Sequence, residues 1–241
     1  KKALTKRVLG MLEKLDNTQY ATFWKEFGDC LKEGIAEDYA NRDQLMKLYS
    51  FASTHQDTSE ENVSLEDYVS RMKDGQDDIY YIVADSYATA KNSPHIEGLK
   101  ARGYEVLLLS HQIDEWFMSQ MHEFEGKKFH DITKGDLNLE EDEATKEKRE
   151  ASEKALKGLT ERVKKVLEAD IEEVRLTYRL TDSPACLVLG EHDLGPQLRE
   201  MLKQAGQDMP ASKPSLELNP EHVLVKKLDE EKDDGRFGVL A

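Results

Sequence analysis

The chain has few of the features that mark secreted or membrane proteins. Only two of its 241 residues are cysteine, Cys30 and Cys186, and they form no C-x-x-C motif. Such sparse cysteine usage suits a reducing cytosol. No apolar run approaches the length that crosses a bilayer, and the first residues do not resemble a signal peptide. We therefore expect a cytoplasmic location and no membrane partner.

Basic residues are outnumbered by acidic ones. The sequence has 34 lysine and arginine residues against 49 aspartate and glutamate residues, which gives a formal net charge of -15. Nucleic acids and anionic membranes bind surfaces that are rich in positive charge. We therefore expect no nucleic acid among the partners of this chain.

The motifs of common catalytic and metal sites are missing. There is no G-x-S-x-G elbow, no G-x-G-x-x-G loop and no H-x-x-x-H pair. The glycines at 98 and 103 are followed by Tyr104, where a phosphate loop requires lysine. Asp114 and Glu115 are neighbours, so on a helix they diverge by about 100° and cannot form a carboxylate dyad; charge-paired surface is the expected role for both. The sequence predicts no enzyme active site, cofactor site or metal site in this chain.

The first fifty residues show helical periodicity. Apolar residues recur at helical spacing in three segments. They predict a first helix from Leu4 to Leu15, a second helix that starts near Tyr20 and is ended by Gly28 and Gly34, and a third helix that includes Phe51.

The pattern then changes to alternating strands and helices. Compact apolar runs predict strands at Ile79–Ala84, Val106–Leu109 and Phe129–Ile132, with helices that begin near Ser93 and Ile113 between them. This order and spacing imply right-handed crossovers and a parallel sheet. The first part of the chain is therefore predicted to be an α/β domain.

The composition shifts near residue 135. Residues 136–153 are acidic and poor in apolar side chains, so they predict a solvated linker that runs into a helix. Further on, the pattern indicates two strands paired across a turn at Pro184, a short third strand, an amphipathic helix from Leu194 to Ala205 and a final helix opened by Pro220. These elements predict an α+β domain, and we place the domain boundary at residue 137.

One segment, Val106–Met121, is open to two interpretations. It runs from a buried strand into a helix that carries Trp116 and Met118 beside Asp114 and Glu115. Aromatic and methionine side chains next to acids suit a surface that grips irregular apolar partners. The same side chains could simply close the hydrophobic core, and spacing alone favours the core.

A resemblance to a known family favours the binding surface. Residues 68–82 read Y-V-S-R-M-K-D-G-Q-D-D-I-Y-Y-I and closely resemble the middle segment of the heat-shock protein 90 chaperones in their bacterial form. Further blocks resemble the same family in the same order, among them T-K-R-V-L at 5–9, I-D-E-W at 113–116, R-L-T-Y-R-L at 175–180 and L-E-L-N-P at 216–220. The resemblance covers essentially residues 1–228.

The resemblance implies part of an ATP-driven, dimeric chaperone. Residues 1–137 resemble the C-terminal part of the family's middle domain, and residues 138–241 resemble its C-terminal domain without the dimerisation helices. The domain that binds ATP and Mg²⁺ and the loop with the catalytic arginine have no counterpart in this sequence. We therefore expect no ATP hydrolysis and no strong dimerisation by this chain. The intact protein is expected to be a homodimer whose partners are non-native client proteins and the heat-shock protein 70 system.

The family pattern also implies where clients bind. The client-binding residues it indicates are Glu115, Trp116, Met118 and Ser119 on the tryptophan helix, and Leu194, Leu198, Met201 and Leu202 on the amphipathic helix. From spacing alone, the second helix is equally an ordinary packed helix. The predicted function is weak binding of partly folded proteins across a cleft between these two patches. The alternative is an acidic adaptor that docks a folded co-chaperone, and an α/β enzyme is a third interpretation without a candidate residue.

Overall fold

The structure, a computed structural model, describes residues 2–137, 139, 143–207 and 212–241. They form two compact units. The first unit comprises the residues up to Asn92 together with Tyr104–Asp131, and the second comprises the described residues of Ser93–Gly103 and Ile132–Ala241. Among the helices described, none is long and apolar enough to cross a membrane.

Helices and short strands alternate along the chain. The helices of the described residues are α1 (Lys2–Leu12), α2 (Asn17–Glu37), α3 (Arg42–Leu48), α4 (Leu65–Ser70), α5 (Tyr87–Lys91), α6 (Glu97–Ala101), α7 (Asp114–Gln120), α8 (Glu143–Ala155), α9 (Lys157–Val166), α10 (Pro196–Gln204), α11 (Val223–Glu230) and α12 (Asp234–Leu240). The strands are β1 (Ser50–Ser53), β2 (Val63–Ser64), β3 (Asp78–Val83), β4 (Leu107–Leu109), β5 (Glu123–Phe124), β6 (Lys127–Asp131), β7 (Val174–Leu176), β8 (Ala185–Val188) and β9 (Ser215–Leu218).

The first unit is built on a six-stranded mixed sheet in the order β2-β1-β4-β3-β6-β5. β3 lies parallel to β4 and to β6, which confirms the predicted parallel sheet. β1 pairs antiparallel with β2 and β4, and β5 pairs antiparallel with β6. These antiparallel edges were not predicted. The α/β class of this unit is confirmed, in a mixed rather than a purely parallel form.

Two predicted helix ends in the first unit are wrong. Gly28 and Gly34 do not end the second helix, because α2 runs through both of them. A Cβ at position 28 would lie 3.0 Å from the Trp24 ring, so this glycine provides room for the indole one turn away. The third helix is shorter than predicted: Phe51 lies in β1, where it is buried in the core.

The second unit is built on a three-stranded sheet in the order β7-β9-β8. The prediction that the strands on either side of Pro184 pair with each other is wrong, because β9 lies between them, parallel to β7 and antiparallel to β8. Helices and sheet then enclose a small core around Leu159, Leu218 and Val225. The predicted α+β character is confirmed.

The end of the described chain adds a helix that was not predicted. α12 buries Phe237, whose ring lies 3.8 Å from the guanidinium carbon of Arg162. The core of the second unit therefore extends beyond residue 228, where the family resemblance ended. The predicted domain boundary at residue 137 stays a prediction, and residue 138 lies outside the described residues.

Candidate functional site

The tryptophan helix α7 starts from a buried ion pair. Asp114, its first residue, and Lys32 of α2 are both 0% exposed, and Lys32 Nζ lies 2.6 Å from Asp114 Oδ1. Asp114 Oδ2 accepts a hydrogen bond from the backbone N–H of His111 at 2.9 Å. The ammonium group also lies 5.8 Å from the Trp24 ring centroid and 5.9 Å from that of Phe117. These contacts hold the first turn of α7 against α2.

The four residues of α7 that the family pattern indicates differ in exposure. Ser119 is exposed, and its hydroxyl donates to the backbone carbonyl of Trp116 at 2.6 Å. Trp116 is half-buried and packs on the core of the first unit. Glu115 and Met118 are 7% and 2% exposed. The expected surface role of Asp114 and Glu115 is therefore wrong, since the packing of α7 buries both, and Met118 is buried with them, as in the core interpretation that spacing favoured. Client contact by Glu115 and Met118 stays a prediction that requires α7 to move.

Helix α10 has an apolar face that the described residues of its own unit cover only in part, since Leu198 and Leu202 are half-buried. None of its nine residues is buried. Leu198, Met201 and Leu202 follow the i, i+3, i+4 spacing that places them on one side of a helix, and Met201 is 40% exposed. An ordinary amphipathic helix buries this stripe. The stripe of α10 is therefore covered less completely than that of an ordinary packed helix.

Leu194 belongs to this patch but not to the helix. It is half-buried, and the helix starts two residues later with Pro196, after Gly195 as its N-cap. The predicted helix start at Leu194 is therefore wrong. The backbone carbonyl of Leu194 accepts a hydrogen bond from Arg199 Nη2 at 2.9 Å, which ties this residue to the second turn of α10.

Cys186 is a buried thiol that lies close to a carboxylate. Among the residues that the structure describes, no group of three or more His, Cys, Asp or Glu side chains could hold a metal ion. Cys186 Sγ lies 3.9 Å from Glu217 Oε2, and burial raises the pKa of this thiol to about 12. The thiol is therefore protonated near neutral pH and is a poor nucleophile.

Comparison with known proteins decides the family. The family model described as Hsp90 protein matches residues 1–236. The chain belongs to the Hsp90 family. Chaperone protein HtpG of Chromobacterium violaceum is 54% identical over 241 residues, which cover 98% of this chain and 38% of that protein. Chaperone protein HtpG of Shewanella denitrificans is 53% identical over 243 residues, which cover 99% of this chain and 38% of that protein.

This Hsp90 family chain spans about 38% of the length of the curated relatives it matches. Membership confirms the resemblance that the ordered sequence blocks indicated. α7 belongs to the first unit and α10 to the second. Sequence reasoning missed the buried ion pair below α7, because Lys32 and Asp114 are 82 positions apart and share no local spacing.

Proposed function

We propose that this chain supplies client-binding surfaces of an ATP-dependent Hsp90 chaperone. The observation that carries the proposal is the partly exposed apolar face of α10, with Met201 40% exposed and no residue of the helix buried. Partly folded proteins present scattered apolar groups without fixed geometry. Adaptable leucine and methionine side chains on an exposed helix can fit such groups.

The second surface is the accessible side of α7, formed by Trp116 and Ser119. Trp116 lies half-buried on the core of the first unit, so its position is fixed while part of the indole remains accessible to a partner. A pre-positioned aromatic ring can bind an apolar group with little loss of side-chain entropy. Glu115 and Met118 are included in this surface only for a state in which α7 has moved.

In the full-length protein, ATP and Mg²⁺ bind and ATP is hydrolysed in a part that this chain does not supply. The full-length protein acts as a cytoplasmic homodimer, with the heat-shock protein 70 system as a further partner. Nucleotide-driven closure would reposition the two surfaces and so change their affinity for a client. Because ATP is hydrolysed in another part of the full-length protein, we expect no ATP turnover by the 241-residue chain alone.

The test is an NMR titration of the chain with a permanently unfolded, apolar-rich protein. We expect amide shifts at residues 116–119 and 194–202 that persist in moderate salt, because apolar contacts are screened little by ions. Shifts confined to acidic surface and abolished by the same salt would contradict client binding. They would favour the acidic adaptor, which depends on charge.

A variant pair separates binding from folding. Trp116→Arg is expected to weaken client affinity by about tenfold or more, as for a buried aromatic anchor, while the circular dichroism spectrum is unchanged. The matched control is Phe27→Arg, which replaces an aromatic residue of α2 that is 56% exposed and lies outside both surfaces. If Trp116→Arg perturbs the fold, the exposed Ser119→Arg provides the same steric and charge test, and unchanged affinity would remove α7 from the client site.

A further inference from the structure

The first unit has a groove between α3 and the turn that joins β5 to β6. Its volume is about 740 Å³. Met46 of α3 and Phe124 of β5 line the groove and belong to the buried core beneath it, so they form an apolar floor. Tyr39, three residues before α3, also lines the groove and is 80% exposed. The groove therefore combines an apolar floor with an accessible aromatic ring.

Carboxylates without ion pairs surround this floor. Asp43, Glu123 and Glu125 line the groove, and all three are exposed. Within the described part of the chain, none of the three forms an ion pair. Lys128 of β6 lies opposite Glu123 in the strand register, but these two side chains are not paired either. The three carboxylates are therefore available to the cationic groups of a partner.

The two basic side chains in the lining are engaged elsewhere. Arg42 Nη2 donates to the backbone carbonyl of Gln120. Lys47 Nζ lies 3.2 Å from Oε1 of Glu66, an acid that is not part of the lining. Neither base therefore neutralises a carboxylate of the groove by a direct ion pair.

Acids outnumber bases in this region. The hydrogen bond and the charge of Glu66 raise the pKa of Lys47 above its ordinary value, against desolvation, and the charges of Glu125 and Glu13 act in the same direction. The lining and its charged neighbours thus include five acids, Asp43, Glu123, Glu125, Glu66 and Glu13, against three bases, Arg42, Lys47 and Lys128. The local excess of negative charge has the same sign as the net charge of the chain and attracts cations.

We propose that this groove binds a peptide segment of a partner protein in which lysine or arginine alternates with apolar residues. The apolar side chains would contact the floor and the Tyr39 ring, and the cations would lie beside the exposed carboxylates. A tyrosine ring also attracts a cation through its face. A polyamine offers the charge without the apolar groups, and an acidic peptide would be repelled. The proposal is independent of client binding at α7 and α10, because other elements line the groove.

The test is an NMR titration of the 241-residue chain with a short synthetic peptide in which lysine alternates with leucine and one leucine is replaced by tryptophan. We expect saturable amide shifts at residues 39–47 and 122–126, and binding that weakens as salt is added. A peptide with serine in place of the apolar residues, and spermine, should each bind about tenfold more weakly or worse. Shifts only at 116–119 and 194–202, or no saturable binding, would overturn the proposal. Equally tight binding of the serine peptide or of spermine would overturn it in favour of charge alone.

Charge-matched variants locate the site. Glu123→Gln/Glu125→Gln is expected to weaken binding of the lysine–leucine peptide by about tenfold or more, because two charge-assisted contacts are lost. The control is Glu26→Gln/Glu33→Gln, which removes the same charge from exposed positions of α2 outside the groove. Tyr39→Ser tests the apolar contribution, and the fold should persist because this side chain is exposed. Equal loss of affinity in groove and control variants would overturn the proposal in favour of diffuse surface attraction.

Discussion

Lys32 Nζ and Asp114 Oδ1 lie 2.6 Å apart, and both side chains are excluded from solvent. Asp29 and Glu61 each place a carboxylate oxygen 3.7 Å from the same ammonium group. Glu61 in turn accepts a hydrogen bond from Trp24 Nε1 at 2.5 Å. A lysine of α2 is thus the centre of a charged network that reaches the first residue of the tryptophan helix.

Lys32→Met is expected to destabilise the chain by about 3–5 kcal/mol, because it leaves the buried carboxylate of Asp114 without its counter-ion. Urea denaturation of the variant and the parent chain measures this difference. The matched control is Lys47→Met. Lys47 pairs with Glu66 at 3.2 Å, but both side chains are more than half exposed, so little or no change is expected.

The double variant Lys32→Met/Asp114→Asn tests the cause of that loss. It removes the buried negative charge and keeps an oxygen that can accept the His111 N–H. We expect it to recover a large part of the stability lost in Lys32→Met. A double variant as unstable as the single one would show that packing of the lysine stem, not the unpaired charge, is responsible.

Glu97 holds the 181–183 segment within the second unit. Its Oε2 accepts backbone N–H hydrogen bonds from Thr181, Asp182 and Ser183 at 2.7, 2.9 and 3.1 Å, and its Oε1 accepts from the Ser183 hydroxyl. Burial alone would raise the pKa of Glu97, but the hydrogen bonds outweigh it and lower the pKa below its ordinary value. The stabilisation is therefore complete above the unfolded pKa, which is about 4.3, and is lost as pH falls through the lower folded value.

Glu97→Gln is expected to cost about 1–3 kcal/mol at neutral pH, because an ionised acceptor of several hydrogen bonds is lost. The gap between variant and parent should narrow as pH falls below about 4.3. Denaturation series at several pH values measure both effects. Glu161→Gln on α9, with a side chain 70% exposed, is the control and should leave stability unchanged. A gap for Glu97→Gln that is constant down to pH 3 would contradict the role of its ionised form.

Met201→Ser is expected to weaken client binding with little loss of stability, because Met201 is 40% exposed and lies outside the buried core. The control is Leu187→Ser, which removes an apolar side chain of β8 that is 53% exposed and lies outside α10. Affinity for an unfolded model protein and thermal unfolding are measured for both variants. Equal affinity loss in the two would mean that any exposed apolar residue contributes, and would contradict a specific role for α10.

The two cysteines should differ sharply in reactivity. Cys30 is exposed, whereas Cys186 is buried and its thiol pKa is raised to about 12 by burial. An aromatic disulfide reagent at pH 8 should therefore modify Cys30 quickly and Cys186 only after unfolding, since the thiolate is the reactive form. The Cys30→Ser variant isolates the second thiol. Rapid modification of this variant under native conditions would contradict the burial of Cys186.

Local signals in the sequence were reliable where the structure depends on neighbours along the chain. Ser64 caps α4 by accepting the backbone N–H of Asp67, three positions along the chain, at 3.0 Å. The strands β3, β4 and β6 were predicted from compact apolar runs, and their parallel pairing was predicted from the helices between them. The order β7-β9-β8 was not predictable in this way, because β9 pairs with residues of β7 that lie 42 positions earlier and with residues of β8 that lie 27 to 33 positions earlier.

In the candidate site, too, some features were predicted from local sequence signals and others were decided only by packing. Periodicity and family resemblance predicted an amphipathic helix at α10 and a tryptophan helix at α7. They could not tell Ser119, which is exposed, from Met118, which is 2% exposed and adjacent to it. Exposure depends on which side of α7 faces α2 and the sheet, and that side is chosen by packing rather than by the residue itself.

The sequence by itself determined the family, the mixed α/β character and the absence of common catalytic motifs, because these follow from local patterns and ordered blocks of residues. Only the tertiary structure decided that Lys32 and Asp114 meet, that the apolar face of α10 stays partly exposed, and that acids of α3 and of the β5–β6 turn line one groove. Each of these depends on residues distant in sequence, which are brought together when apolar surface is buried.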